Sequence, residues 1–198
     1  MKIYQSNQVW ATDITYVKLP TGMMYVICLL DLYSRYVVGY VISNTLDTSG
    51  GLECLEHATT KHGHPKMLNS DQGSQFTSLA WINKLSQLDI IISMDGKGRW
   101  VDNVYVESFW RTLKRECIYA NGVESVTQLH TEVARYIRYY NQQRLHSSLG
   151  YKTPCAVYQK NLEDITECIF YCEYPAQNNL VRIKKKRVLP TILIREAA

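Results

Sequence analysis

Three acidic residues of this chain, Asp13, Asp71 and Glu107, are of a type that could hold divalent cations. The chemistry such a set would do is metal-assisted phosphoryl transfer. A pair of Mg²⁺ ions held about 3.5–4 Å apart by carboxylates stabilises both the attacking and the leaving oxygen of a phosphodiester. Mg²⁺ keeps several waters and needs only one or two carboxylates per ion, so three acids are enough for two ions. Mn²⁺ can substitute at such oxygen sites. Without a metal, three converging carboxylates would repel and raise one another's pKa. Residue type alone leaves a second reading open, in which each acid is an ordinary surface, cap or salt-bridge residue. Asp31, Asp89, Asp95 and Asp102 are acids of the same kind, and spacing alone does not separate them.

The elements that must position these acids can be read from periodicity. Residues 8–18 alternate and are rich in β-branched and aromatic types, which predicts a strand with Asp13 inside it. Val9, Ala11, Thr15 and Val17 share its face by the period of two, so a carboxylate there is costly to bury unless paired or metal-bound. Pro20-Thr21-Gly22 is a turn. Residues 23–32 and 36–42 predict two further strands joined at Ser34-Arg35, completing an antiparallel meander. A helix over 48–62 follows, ended by Gly63 and Pro65. Met67-Leu68 predicts a short strand, with Asp71 emerging from its end into the small, polar stretch Gln72-Gly73-Ser74-Gln75. Ser78 is a candidate cap for a helix to about Leu88, and residues 90–92 predict a fifth strand. Residues 94–100 form a glycine-bearing loop. Helices over about 102–118 and 126–146 come next, closing at Gly150 and Pro154. On the first of these, Val106, Phe109, Leu113 and Cys117 form an apolar stripe, while Glu107, Arg111 and Lys114 form another at its flank. The fold class expected is α/β, a mixed five-stranded sheet with its meander first and helices on its faces. Residues 1–158 are expected to form the core domain and 159–198, with the basic run Lys184 to Arg187, a peripheral tail.

Composition bounds the partners. The chain has 198 residues, of which 46% are hydrophobic and 20% charged, so disorder is excluded and one sizeable core is expected. Its formal charge of +4 permits a nucleic-acid partner without requiring one. The start of the chain has no apolar signal-peptide core, and the longest apolar run, Met23 to Leu30, is too short for a membrane span. The six cysteines include no CxxC pair, and free thiols in a reducing cytoplasm are expected.

Five segments together carry a resemblance. They are Trp10-Ala11-Thr12-Asp13-Ile14-Thr15-Tyr16, Leu30-Asp31-Leu32-Tyr33-Ser34-Arg35, the stretch from Ser70 to Ser78, Trp100-Val101-Asp102-Asn103 and Glu107-Ser108-Phe109-Trp110. They resemble the catalytic core of DDE transposases related to retroviral integrases, above all the second-frame (OrfB type) proteins of bacterial insertion sequences. Between Asp71 and Glu107 lie 35 residues, the family's spacing between its second and third acids. The stretch from Tyr140 to Pro154 is similar to the family's closing motif.

The resemblance implies a ribonuclease-H-like fold and two Mg²⁺ ions, with Asp13 and Asp71 sharing the metals and Glu107 completing the second site. It implies hydrolysis at the transposon end to free a 3′-hydroxyl, then attack of that hydroxyl on target DNA without a covalent protein intermediate. Lys114, two turns beyond Glu107, matches a basic position that contacts the transposon end. The alternative for it is a solvated helix lysine. Lys97 and Arg99, in the loop before the helix, are candidates to grip DNA phosphate. Arg144 and His146 could contact DNA or buttress the site, with a plain interhelical bridge as the alternative. Asp102-Asn103 is read first as a helix cap, and the four tryptophans as core or edge aromatics. The implied partners are DNA, further copies of the chain assembled on it, and a first-frame transposase protein. The helix-turn-helix region with which family members recognise terminal repeats has no match in the residues before Trp10. Two alternatives therefore stand beside the transposase: an inactive remnant that binds DNA or a partner, and a metal-dependent nuclease on the same scaffold.

Overall fold

The computed structural model describes residues 2–94 and 104–160. Its centre is a five-stranded sheet in the order β3-β2-β1-β4-β5. The strands are β1 (Val9–Leu19), β2 (Gly22–Asp31), β3 (Val37–Ser43), β4 (Met67–Ser70) and β5 (Ile91–Met94). The first three pair antiparallel, joined by short turns, and β4 and β5 add in parallel on the far side of β1. This is the mixed sheet expected from sequence. Its parallel half requires crossovers, which are α1 (Thr48–His62) and α2 (Leu79–Gln87). Asp47 and Ser78 cap these helices, their side chains accepting from the backbone N–H of Ser49 and Trp81.

The sheet separates two cores. On one face Val9, Ala11 and Val17 of β1 join Val26, Cys28 and Leu30 of β2 against α3 (Val104–Leu113) and α4 (Val126–Gln142). On the other, Trp10, Ile27 and Leu29 meet Leu55, Phe76, Trp81 and Leu85. Gly39 lets α1 lie close to β3, since a Cβ there would stand 3.0 Å from the Ala58 Cβ and 3.1 Å from the Cys54 carbonyl oxygen.

The helical half departs from expectation in three places. The helix carrying Glu107 does not continue as a plain α-helix to 118: Lys114–Tyr119 winds as a π-helix, turning Cys117 and Ile118 into the core. The helix expected to reach 146 ends at Gln142, because the chain turns so that His146 can bridge to Lys152. Pro154 does not merely end structure. It starts a last helix, α5 (Pro154–Lys160), where its missing N–H costs nothing. α5 is anchored by Tyr158, whose ring stacks on Tyr36 at 4.7 Å and whose hydroxyl donates to Asn7 Oδ1 at 2.8 Å. Residues 161–198 of the expected tail, the 95–103 loop with Lys97 and Arg99, and the cap expected at Asp102-Asn103 lie outside the described residues. No described helix is long and apolar enough to cross a membrane.

Candidate active site

The β1–β4 pairing ends at Ala11 opposite Asn69. Two residues further along each parallel strand direction stand Asp13 and Asp71, at the point where the chains part. Both line a cleft of about 190 Å³ together with Ile14, Thr15, Tyr16, Tyr25, Leu46, Gln75 and Phe76. Parallel register, not proximity in sequence, therefore brings these two acids into one cleft.

Asp13 sits on the face of β1 that also carries Val9, Ala11, Thr15 and Val17, opposite Cys28. Each of its oxygens accepts one hydrogen bond: Oδ1 from the Ile14 N–H at 2.8 Å, and Oδ2 from the Trp110 indole Nε1–H at 2.9 Å. Burial pushes its carboxyl up to about 6, the two hydrogen bonds pull the other way, and the charges of Asp71 and Glu107 raise it further. Both other acids thus act on Asp13 through space. Asp71 is held by the backbone N–H of Gly73, which donates to Oδ1 at 3.0 Å. A Cβ at Gly73 would lie 3.0 Å from that same oxygen and 2.9 Å from Gln75 Oε1, so a larger residue would crowd these two side chains.

Glu107 is exposed on α3, whose buried residues are Val106, Phe109, Trp110 and Leu113. One turn separates it from Trp110, so the indole that holds Asp13 also ties the helix of the third acid to the strand of the first. Glu107 does not line the cleft itself. Among the described residues no three acidic, histidine or cysteine side chains are close enough together to form a ready-made metal trio. The donor set nevertheless suits a hard cation: oxygen ligands alone, and a carboxyl raised first by burial and then by the charges of Asp71 and Glu107, with no cation among the causes.

The basic candidates divide. Lys114 reaches toward the cleft, its ammonium 4.7 Å from the centroid of the Tyr16 ring. Arg144, which is not among the residues lining the cleft, is held in a two-pronged pair with Glu116, Nε to Oε2 and Nη2 to Oε1, both at 3.0 Å. Tyr136 adds a third bond to Glu116 at 3.0 Å. The Arg144 guanidinium holds the Glu116 carboxyl below its usual range. His146 packs edge-on against Tyr140 at 4.8 Å, and burial lowers it to about 4.

Two supporting residues were not singled out by sequence reasoning. Trp110 is expected as a core or edge aromatic, and its bond to Asp13 joins positions 97 residues apart, which no local pattern shows. Asn141, inside the closing motif, bonds the backbone of Val37 twice, accepting from its N–H at 2.9 Å and donating to its carbonyl at 3.0 Å. It thereby seats α4 on β3.

The chain matches the family described as Integrase core domain over residues 3–99, and a second family of the same description over residues 88–154. The transposase for insertion sequence element IS904 of Lactococcus lactis subsp. lactis (strain IL1403) is 38% identical over 152 residues, 75% of this chain and 60% of that protein. The transposase InsF for insertion sequence IS3A of Escherichia coli (strain K12) is 34% identical over 159 residues, 79% of this chain and 55% of that protein. The chain therefore spans little more than half the length of these two relatives. Among solved structures, the catalytic core domain of HTLV-2 integrase, described as in complex with magnesium and dimeric, superposes with a TM-score of 0.61 at 17% identity, covering 78% of this chain and 97% of that one. The catalytic core of BIV integrase gives 0.63 at 18%, covering 79% and 97%. At these identities the structures establish the ribonuclease-H-like fold.

Proposed function

As the chain belongs to the integrase core domain family, alongside transposases of bacterial insertion sequences, we propose that it is the catalytic core of a DNA transposase, a DDE polynucleotidyl transferase acting through Asp13, Asp71 and Glu107. The observation that carries this reading is the meeting of Asp13 and Asp71 where β1 and β4 part, with the charge of Glu107 reaching Asp13.

In this reading hydrolysis at the transposon end frees a 3′-hydroxyl. That oxygen then bonds to a phosphorus of target DNA, and the target's own 3′-oxygen leaves with the electron pair of the broken bond. Asp13 and Asp71 would share two Mg²⁺ ions and Glu107 would complete the second site. Bound there, the ions would stabilise charge on the attacking and leaving oxygens. The chain's own residues orient the ligands. Trp110 and Ile14 each restrain one oxygen of Asp13, and the Gly73 N–H restrains Asp71, so the remaining lone pairs are aimed before any ion arrives. A role for Lys114 in pairing with DNA phosphate is supported by its ammonium lying over the ring of Tyr16, a residue of the cleft. Residues 1–158 serve as the catalytic core and 159–198 as a peripheral tail. Two transposon ends must be joined together, which requires more than one copy on DNA; the HTLV-2 core is described as dimeric. A first-frame protein is the expected helper in recognising the ends.

The test is joining of the element's own terminal DNA to a target duplex in Mg²⁺. Asp71→Asn and Glu107→Gln, with unchanged circular dichroism, are expected to lose joining. A Glu107→Gln variant that still joins would mean the third acid lies elsewhere. Cutting without joining by the native chain would make it a nuclease on the same scaffold, and binding without cutting an inactive remnant. Crystals soaked in millimolar Mn²⁺ are expected to give an anomalous peak between Asp13 and Asp71.

A further inference from the structure

The cleft that holds the two aspartates has an apolar half that phosphoryl transfer does not use. Tyr16 and Tyr25 are direct cross-strand partners on β1 and β2, and with Leu46 they line the same cleft as Asp13 and Asp71. Tyr16 is 61% exposed, and Leu46, between β3 and α1, 48%, while Val26 and Ile27 of β2 are buried. Nothing in the core needs these side chains where they are. Lys114, meanwhile, brings its ammonium to the Tyr16 ring from the π-helical segment. A largely exposed aromatic ring with a cation over one of its faces and two carboxylates thus border one space. That space has a volume of about 190 Å³.

We propose that Tyr16, flanked by Tyr25 and Leu46, is a stacking platform for a single nucleobase drawn out of the duplex next to the phosphodiester at Asp13 and Asp71. The proposal rests on the DNA-processing reading above and deepens it, because it specifies the form of the substrate: DNA whose strand is unpaired at the reacting position. Inside a duplex both faces of a base are covered by its neighbours, so only an extruded base can offer a face to a tyrosine. Every base has such a face, so the platform accepts any sequence. The charges suit one nucleotide in two parts. Its base meets the apolar side of the cleft, and its phosphate is drawn by Lys114 on one side and by cations held at the aspartates on the other.

Three labelled DNAs without terminal-repeat sequence separate the possibilities: a fully paired duplex, a forked duplex with a three-thymidine unpaired arm, and the same fork with abasic residues in the arm. The full native chain is expected to bind the thymidine fork about 10-fold more tightly than the abasic fork. Tyr16→Ala is expected to lose that preference, while Tyr16→Phe keeps it. The side chain is largely exposed, so its removal leaves the fold intact, as a melting curve would verify. Equal binding of the two forks by the native chain overturns the platform without any variant. An equal loss on both forks in Tyr16→Ala overturns it as well, and in either case the transposase reading stands. Failure of the native chain to bind any of the three DNAs overturns the platform, while the transposase reading falls only with loss of joining of the element's own terminal DNA.

Discussion

Asp13 and Asp31 are carboxylates on paired strands, and Asp31 lies opposite Trp10, only three positions from Asp13. Their surroundings are opposite. Asp31 is completely buried and accepts three hydrogen bonds, from the Ser34 N–H at 2.8 Å, the Ser34 hydroxyl at 2.6 Å and the Asn7 N–H at 2.8 Å. Burial raises its pKa, but those bonds and the nearby Arg35 charge counter the rise. Asp13 has two hydrogen bonds, an opening to the cleft, and two other acids facing it. Asp31 is a structural knot that ties the β2–β3 turn to the segment before β1. Asp13 has one hydrogen bond to each oxygen and two further negative charges acting on it, so of the two it is the acid better suited to accept a cation. Within one sheet, the number of donors around a buried carboxylate separates the acid that holds the fold from the acid suited to chemistry.

Substitutions can break this comparison on either side. The largest effect is expected from Asp13→Asn, which should lower DNA joining by about 10³-fold or more while the protein stays folded. Asp31→Ala should do the reverse. Three donors lose their acceptor in a dry site, and stability should fall by about 3 kcal/mol in urea unfolding; a loss below about 1 kcal/mol would remove Asp31 from its structural role. In protein stripped of divalent cations at pH 7, Asp13→Asn should raise stability, by about 1–3 kcal/mol. The sign follows from a folded pKa near 6 against 3.8 for the free group, so ionised Asp13 opposes folding above that range. Trp110→Phe keeps the ring in the core and deletes only its N–H, so joining should drop about 10-fold, with a shifted Mg²⁺ requirement and a nearly unchanged melting temperature.

The smallest effect sharpens the comparison through pH. His62 and His146 are lowered to about 4, chiefly by burial, against a usual value of 6.5. The unfolded chain therefore binds more protons than the folded one between about pH 4 and 6.5, and their contribution to stability is lost as pH falls through that window. Asp13 works in the opposite direction over nearly the same range. Removing it should expose the histidines, so the metal-free Asp13→Asn protein should lose melting temperature more steeply from pH 7 to 4.5 than the native chain. Parallel curves would show that Asp13 is not titrating near 6.

Much of this was legible in the residues. Period-two alternation over 8–18 located β1 with Asp13 inside it, and Gly63 and Pro65 marked the end of α1. Ser78 announced α2, and the 106, 109, 113 stripe oriented α3. The family's motifs picked three acids out of several of the same type. The π-helical turn at 114–119 was not legible, because a single extra residue per turn barely alters an apolar pattern. Nor was the early end of α4, since Arg144 and His146 continue a helical pattern locally and leave it only for partners at Glu116 and Lys152.

What the sequence alone determined about this protein is the order of its elements and the types of residue each presents, because both follow from local periodicity, caps and turns. The tertiary structure decided which polar groups meet. It set Asp13 beside Asp71 through parallel register, gave Asp13 to Trp110 and Arg144 to Glu116, and left Tyr16 open beside the acids. Those pairings depend on distances between segments dozens of residues apart, and such distances exist only once the strands are laid side by side.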